Sequence, residues 1–219
     1  LFFFGLFSVL SIPALSFSIY YLHVIPDKAW FFELRSWRGS EFFAILIGCA
    51  GGAFASFLPR LMLGLPLFAV LAVTIVPYLK PLIRPLGDDQ FSESSESIDC
   101  LQSTFASCGP ASITTILRNQ GLQATEKSVA RAVFTYEGGT EAWYLARYLR
   151  SRGLSARFDF RETFSIDAGQ PAMVGVRMGG FGHFIAVLDV HEDRVTFVDP
   201  LKGREQLSVD EFKHRYTFT

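Results

Sequence analysis

The sequence predicts an α-helical membrane region followed by an α+β domain, and three observations predict it. Uncharged apolar runs crowd the first 87 of the 219 residues. A short stretch rich in Ser and acidic residues then breaks the pattern. Beyond it, helical periodicity comes first and strand-like runs come later, the order expected of an α+β fold. Half of all residues are apolar, with 20 Lys+Arg against 21 Asp+Glu. Such totals exclude a disordered chain or a disulfide scaffold and make no case for nucleic acid. The balance hides a split: residues 1–87 carry six basic and three acidic side chains, net +3, and residues 88–219 carry fourteen and eighteen, net −4.

With His23 neutral, nothing charged interrupts Leu1–Pro26, and two further uncharged runs follow at Phe42–Pro59 and Leu61–Leu79. About 20 mostly apolar residues cross a bilayer core, so three transmembrane helices are expected in residues 1–87. Gly48-Cys49-Ala50-Gly51-Gly52-Ala53 suits close helix packing, which is the role expected for Cys49. Lys28, Arg35, Arg38, Lys80 and Arg84 would share one side of the membrane, against Arg60 alone on the other. Basic loops stay in the cytoplasm, so the expected setting is a bacterial inner membrane with the globular part facing the cytoplasm.

Residues 88–97 read as a solvated linker, and residues 98–219 as one domain. Ala111–Gln120, stopped by Gly121, reads as a helix. Thr125–Phe134 reads as a second, begun by Thr125 as N-cap, and Thr140–Arg152 as a third, ended by Gly153. Ala172–Val176, Phe184–Val190 and Val195–Val198 read as strands.

The chemistry concentrates in this domain. Cys108 precedes Gly109-Pro110, a turn leading into a helix whose positive N-terminal end favours thiolate, the nucleophilic form. His183 opens an apolar strand just after Gly179-Gly180-Phe181-Gly182, where it could serve as base. Asp199 closes the next strand. If the two strands pair across a turn at His191–Arg194, Asp199 neighbours His183 and can orient its ring. Gln102 and the Cys108 backbone N–H could hold an oxyanion. No cofactor is called for, and three singly spaced cysteines argue against zinc. Cys100 is expected to stay free, His191 and His214 to lie at the surface, and Phe181 and Trp143 to line a peptide cleft or fill the core.

Gln102–Ser112, Gly182-His183-Phe184 and Val198-Asp199-Pro200, in that order, resemble the motifs of the bacteriocin-processing, double-glycine cysteine peptidases, family thirty-nine of the cysteine peptidases. The resemblance covers about residues 98–219 and implies a papain-like fold. It also implies Cys108 as nucleophile, His183 as base, Asp199 as orienter and Gln102 in the oxyanion hole. It further implies a peptide or protein substrate and an export partner, since such peptidases commonly begin an ABC exporter and cut a leader after two glycines. In this sequence the apolar runs precede the peptidase and no nucleotide-binding motif follows it. Two rival readings use the same residues: an amidase or acyl transferase, and a non-catalytic module that binds leader peptides.

Overall fold

The computed structural model describes residues 28–92, 97–161, 163–165 and 170–218, together with Gly5, Leu6, Val9, Ser11 and Ile12. The chain divides into two units, Leu1–Ile83 and Arg84–Thr219.

In the first unit, α1 (Ala29–Ser36) leads into a 3-10 segment, Ser40–Leu46, which continues as α2 (Ile47–Ala55). A second 3-10 turn, Arg60–Met62, precedes α3 (Gly64–Ile83). The described residues lend the three expected membrane-crossing helices no support. The first apolar run lies almost wholly outside the described residues. The second is one run by charge but not by conformation, because tight 3-10 turns and Pro59 bracket an α2 of 9 residues. Such a helix rises only about 14 Å, against a hydrocarbon core of about 30 Å. The third run, Leu61–Leu79, starts in the 3-10 turn and continues into α3, a helix of 20 residues that contains Pro66 and Pro77 and extends past the run through Lys80 and Pro81. Among the described residues, no helix is long and apolar enough to cross a membrane.

The second unit begins before the expected domain edge. Arg84 pairs with Glu137 at 3.0 Å, Pro85 bridges Tyr136, and Asp88 meets both Lys127 and Arg131. Within the segment read as a solvated linker, Phe91 is buried and Asp88, Asp89, Gln90, Ser92 and Ser97 are exposed, while residues 93–96 lie outside the described residues.

Three helices follow: α4 (Cys108–Asn119), α5 (Glu126–Ala132) and α6 (Ala142–Ser151). Their ends obey local rules. Gly121 at φ 75° and Gly153 at φ 85° take the left-handed conformation that closes a helix. The next amides, Leu122 and Leu154, reach back to the carbonyls of Leu117 and Leu149 at 2.9 and 3.1 Å. Thr125 caps α5 through the Ser128 amide at 3.1 Å, as its side chain allows.

The remaining chain builds a five-stranded antiparallel sheet in the order β4-β3-β2-β1-β5. Its strands are β1 (Ala172–Met178), β2 (Phe181–His191), β3 (Arg194–Asp199), β4 (Gly203–Ser208) and β5 (Thr217–Phe218), with α7 (Val209–Arg215) between the last two. Three strands and three helices were legible in the sequence; β4, α7 and β5 were not. The hairpin expected at His191–Arg194 forms, with His191 opposite Arg194 and Ala186 opposite Val198. Between Val187 and Asp189 the register shifts by one residue, a bulge that resets the alternation of β2.

One core cluster unites Val176, Ile185, Val187, Val195, Phe197, Phe212 and Tyr216. The rings of Phe197 and Phe212 meet at 5.0 Å between centroids, in the tilted contact that aromatic quadrupoles favour. Ala186 and Val198, on the other face of the same strands, are also fully buried. Helix α4 covers that side, where the Ser112 hydroxyl donates to the Phe184 carbonyl at 3.1 Å.

Candidate active site

Cys108 is the first residue of α4, at the positive end of its macrodipole. The helix begins three residues earlier than expected, so Gly109 and Pro110 lie within its first turn. Proline is tolerated there because its missing N–H would have no helical partner. Gly109 fits closely: a Cβ at that position would stand 3.0 Å from a Leu145 methyl and 3.5 Å from the Phe184 ring, so Leu145 would have to give way. The bare backbone lets the first turn close against β2, the strand that carries His183.

The loop before the helix is held by its own polar groups. Ser107 turns its hydroxyl back to the Thr104 carbonyl at 3.0 Å and accepts from the Thr104 amide at 3.0 Å. It is fully buried, so these bonds offset the desolvation of its oxygen.

His183 is buried in β2, opposite Val176 of β1, two residues inside the strand rather than at its start. Its Nε2 lies 2.9 Å from Asp199 Oδ1. Cys108 is near enough to the ring to help raise its pKa, and with Nε2 engaged by Asp199, Nδ1 is the nitrogen left to face the sulfur. Burial by itself would lower the imidazole pKa, but the hydrogen bond to Asp199 and then the nearby Cys108 outweigh it and raise it to about 9.

Asp199 is fully buried and accepts three hydrogen bonds. Besides His183, the Leu201 amide donates to Oδ1 at 3.0 Å and the Tyr216 hydroxyl donates to Oδ2 at 3.2 Å. Burial pushes the carboxyl pKa up, yet these donors more than compensate and hold it below the ordinary value of 3.8. The Tyr216 phenol moves the other way: burial and then the neighbouring carboxylate raise its pKa.

The structure thus brings Cys108, His183 and Asp199 together. Gln102 stands at the same corner by its backbone, its amide donating to the Pro200 carbonyl at 2.9 Å. Its side-chain Nε2 donates to the Thr104 carbonyl at 2.7 Å; among the described residues its second amide hydrogen is uncommitted and its buried Oε1 has no partner. Among the described residues, Cys49, Cys100 and Cys108 are not joined by disulfides. Trp143 is core, whereas Phe181 is part-exposed against Phe105, with ring centroids 4.9 Å apart.

Sequence reasoning missed two contributors to Asp199. The Leu201 amide was within reach, because an Asp-Pro turn commonly bonds the Asp side chain to the amide two residues on. Tyr216 carries no local signal; only the return of the chain through α7 brings it to the carboxylate.

A buried imidazole–carboxylate pair on an antiparallel hairpin, with a buried cysteine at the start of a helix, suits a cysteine peptidase domain of mixed α and β structure. Residues 99–219 match the Peptidase C39 family, and the chain belongs to that family. An uncharacterized protein of Methanothermobacter marburgensis is 33% identical over 129 residues, covering 59% of this chain and 89% of the relative. One from Methanothermobacter thermautotrophicus is 33% identical over 122 residues, 56% of this chain and 84% of the relative. The probable functional amyloid protease FapD of Pseudomonas fluorescens is 30% identical over 120 residues, 51% of this chain and 53% of that protein. Among solved structures, the peptidase domain of Streptococcus ComA, a bifunctional ABC transporter in a quorum-sensing pathway, matches with a TM-score of 0.43 and 20% identity. That match covers 54% of this chain and 91% of the other.

Proposed function

We propose that the chain is a membrane-associated cysteine peptidase that cuts a peptide or leader sequence, with Cys108 as nucleophile, His183 as acid and base, and Asp199 as orienter. The single observation that carries this reading is the buried His183–Asp199 pair, 2.9 Å apart, with Cys108 at the start of α4 and close enough to help raise the ring's pKa. Such an arrangement favours a thiolate–imidazolium pair, since each partner stabilises the charged form of the ring.

The thiolate sulfur attacks the carbonyl carbon of the scissile peptide, forming a C–S bond and moving the carbonyl π pair onto oxygen. Gln102 Nε2 and the Cys108 N–H steady that oxyanion. As the pair returns, the C–N bond breaks and the His183 imidazolium gives its proton to the departing amine. Water then loses a proton to His183 and adds its hydroxide to the thioester carbon. Breaking the C–S bond restores the thiolate and releases a carboxylic acid. Asp199, already committed to three donors, keeps the ring oriented throughout.

The family resemblance supplies the substrate class, a leader-bearing peptide at an exporter. The apolar first unit supports a membrane location, with the peptidase on the cytoplasmic side that its basic residues prefer. Labelling with an irreversible thiol-directed peptidase inhibitor tests the chemistry. Mass spectrometry should find the adduct on Cys108 in preference to Cys49 and Cys100, and His183→Ala should abolish it; equal labelling of all three thiols would refute an activated cysteine.

A further inference from the structure

Glu126, the first residue of α5, is a carboxylate with only 2% of its surface exposed, and no step of the chemistry above uses it. Both of its oxygens address one residue: Oε1 accepts the Ser103 amide at 2.8 Å, and Oε2 accepts the Ser103 hydroxyl. The Ser103 oxygen in turn accepts from the Ser92 amide at 3.0 Å. A buried carboxylate costs several kcal/mol unless its oxygens are satisfied, and an apolar side chain would fill the same volume without that cost. Stability alone therefore does not explain an acid here.

Ser103 is the residue between Gln102 and Thr104. Gln102 is pinned at its amide to Pro200, beside Asp199, and its side-chain nitrogen is aimed by the Thr104 carbonyl. The peptide linking those two anchors runs through Ser103, so whatever fixes Ser103 fixes the direction of the Gln102 amide. We infer that Glu126 is a positioning residue for the oxyanion hole: by clamping Ser103 it holds the Gln102 side chain where charge develops in the transition state. This rests on the reading of Gln102 given under the proposed function. A donor misplaced by about 1 Å loses much of its effect, which makes a remote clamp worth having.

The test uses the full chain and two probes. N-acetylglycinal forms a thiohemiacetal whose oxygen occupies the oxyanion hole, and its affinity is read as protection of Cys108 from iodoacetamide. The pH profile of iodoacetamide alkylation itself reads the thiol–imidazole pair without the hole. Gln102→Ala and Glu126→Leu should each weaken the aldehyde about tenfold, in the range lost with an oxyanion donor. Glu126→Gln, whose carboxamide oxygen still accepts the Ser103 amide, should fall between, and the Gln102→Ala/Glu126→Leu double should be no weaker than Gln102→Ala alone. The alkylation profile should stay unchanged in all four.

Parental aldehyde affinity in Glu126→Leu, additive losses in the double variant, or an altered alkylation profile would each overturn the inference while leaving Gln102 in its role. Should Gln102→Ala bind the aldehyde as the parent does, or the parent not bind at all, the oxyanion reading falls and this inference with it. If circular dichroism shows Glu126→Leu unfolded, Glu126→Gln and Ser103→Ala carry the same comparison.

Discussion

The two units of this chain dispose of apolar side chains in opposite ways. In the second unit Phe197, Phe212, Ile185 and Val195 are wholly enclosed. In the first, Leu61 is 97% exposed and Phe68 73%, with Phe42, Phe57 and Leu65 also uncovered. These side chains give the first unit an exposed apolar surface of the kind that marks interaction sites. The lesson is that equal hydrophobicity serves different ends: one unit spends it on holding a site rigid, the other leaves it outward.

The contrast can be broken most sharply at the site. Cys108→Ala or His183→Ala should lower peptide cleavage by about three orders of magnitude or more, followed by mass spectrometry. Cys108→Ala should leave the thermal transition nearly unmoved, whereas His183→Ala should lower it, because the buried Asp199 carboxylate loses its partner. Phe197→Ala strikes the enclosed core and should destabilise the second unit by about 3–5 kcal/mol in urea unfolding, as removal of a buried ring does.

Next in size is a pH effect. Burial, which would lower the His183 pKa, is outweighed by the hydrogen bond to Asp199 and the nearby Cys108, so the folded value rises from 6.5 to about 9. The proton is held more tightly folded than unfolded, so its stabilisation is complete below pH about 6.5 and lost as pH climbs through about 9. Denaturation midpoints should therefore fall across that window, and the fall should flatten in Asp199→Asn.

Tyr216→Phe removes one donor from a buried carboxylate and should cost about 1–3 kcal/mol while raising the Asp199 pKa, measurable by NMR titration. At the bottom of the scale, Leu61→Ser in the first unit should change unfolding free energy by no more than about 0.5 kcal/mol. It should instead weaken co-sedimentation with phospholipid vesicles; a large loss of fold stability there would erase the distinction between the units.

Much of the site was legible because its signals are local. Gly121 and Gly153 mark helix ends that the structure keeps, and the hairpin that seats His183 beside Asp199 follows from two apolar runs around a charged turn. What escaped was either polar or distant. Strand β4, Gly-Arg-Glu-Gln-Leu-Ser, is an edge whose charged residues hide its alternation. Helix α7 begins with Ser208 and Glu211, a reciprocal cap visible in the sequence, in which the Ser208 amide donates to the Glu211 side chain at 2.8 Å. It went unread because α7 is only 7 residues long. Tyr216 and Glu126 act across 17 and 23 residues, and no spacing rule connects such partners. The apolar runs of the first unit are legible as composition alone: absence of charge does not fix where a helix begins and ends, and crossing a bilayer requires continuous helix.

The irregularity between Val187 and Asp189 deserves its own reckoning in the geometry of β2. Had the pairing of His191 with Arg194 simply continued down a regular ladder, Asp199 would stand opposite Ala186, and its carboxyl would point through the sheet away from the imidazole. The one-residue slip restores the phase, so that Asp199 emerges on the side of His183. Proton handling here thus depends on parity as much as on residue identity. Adding or deleting one amino acid between Asp189 and Asp199 would part acid from base without altering either, while a two-residue change in the turn would leave them in step.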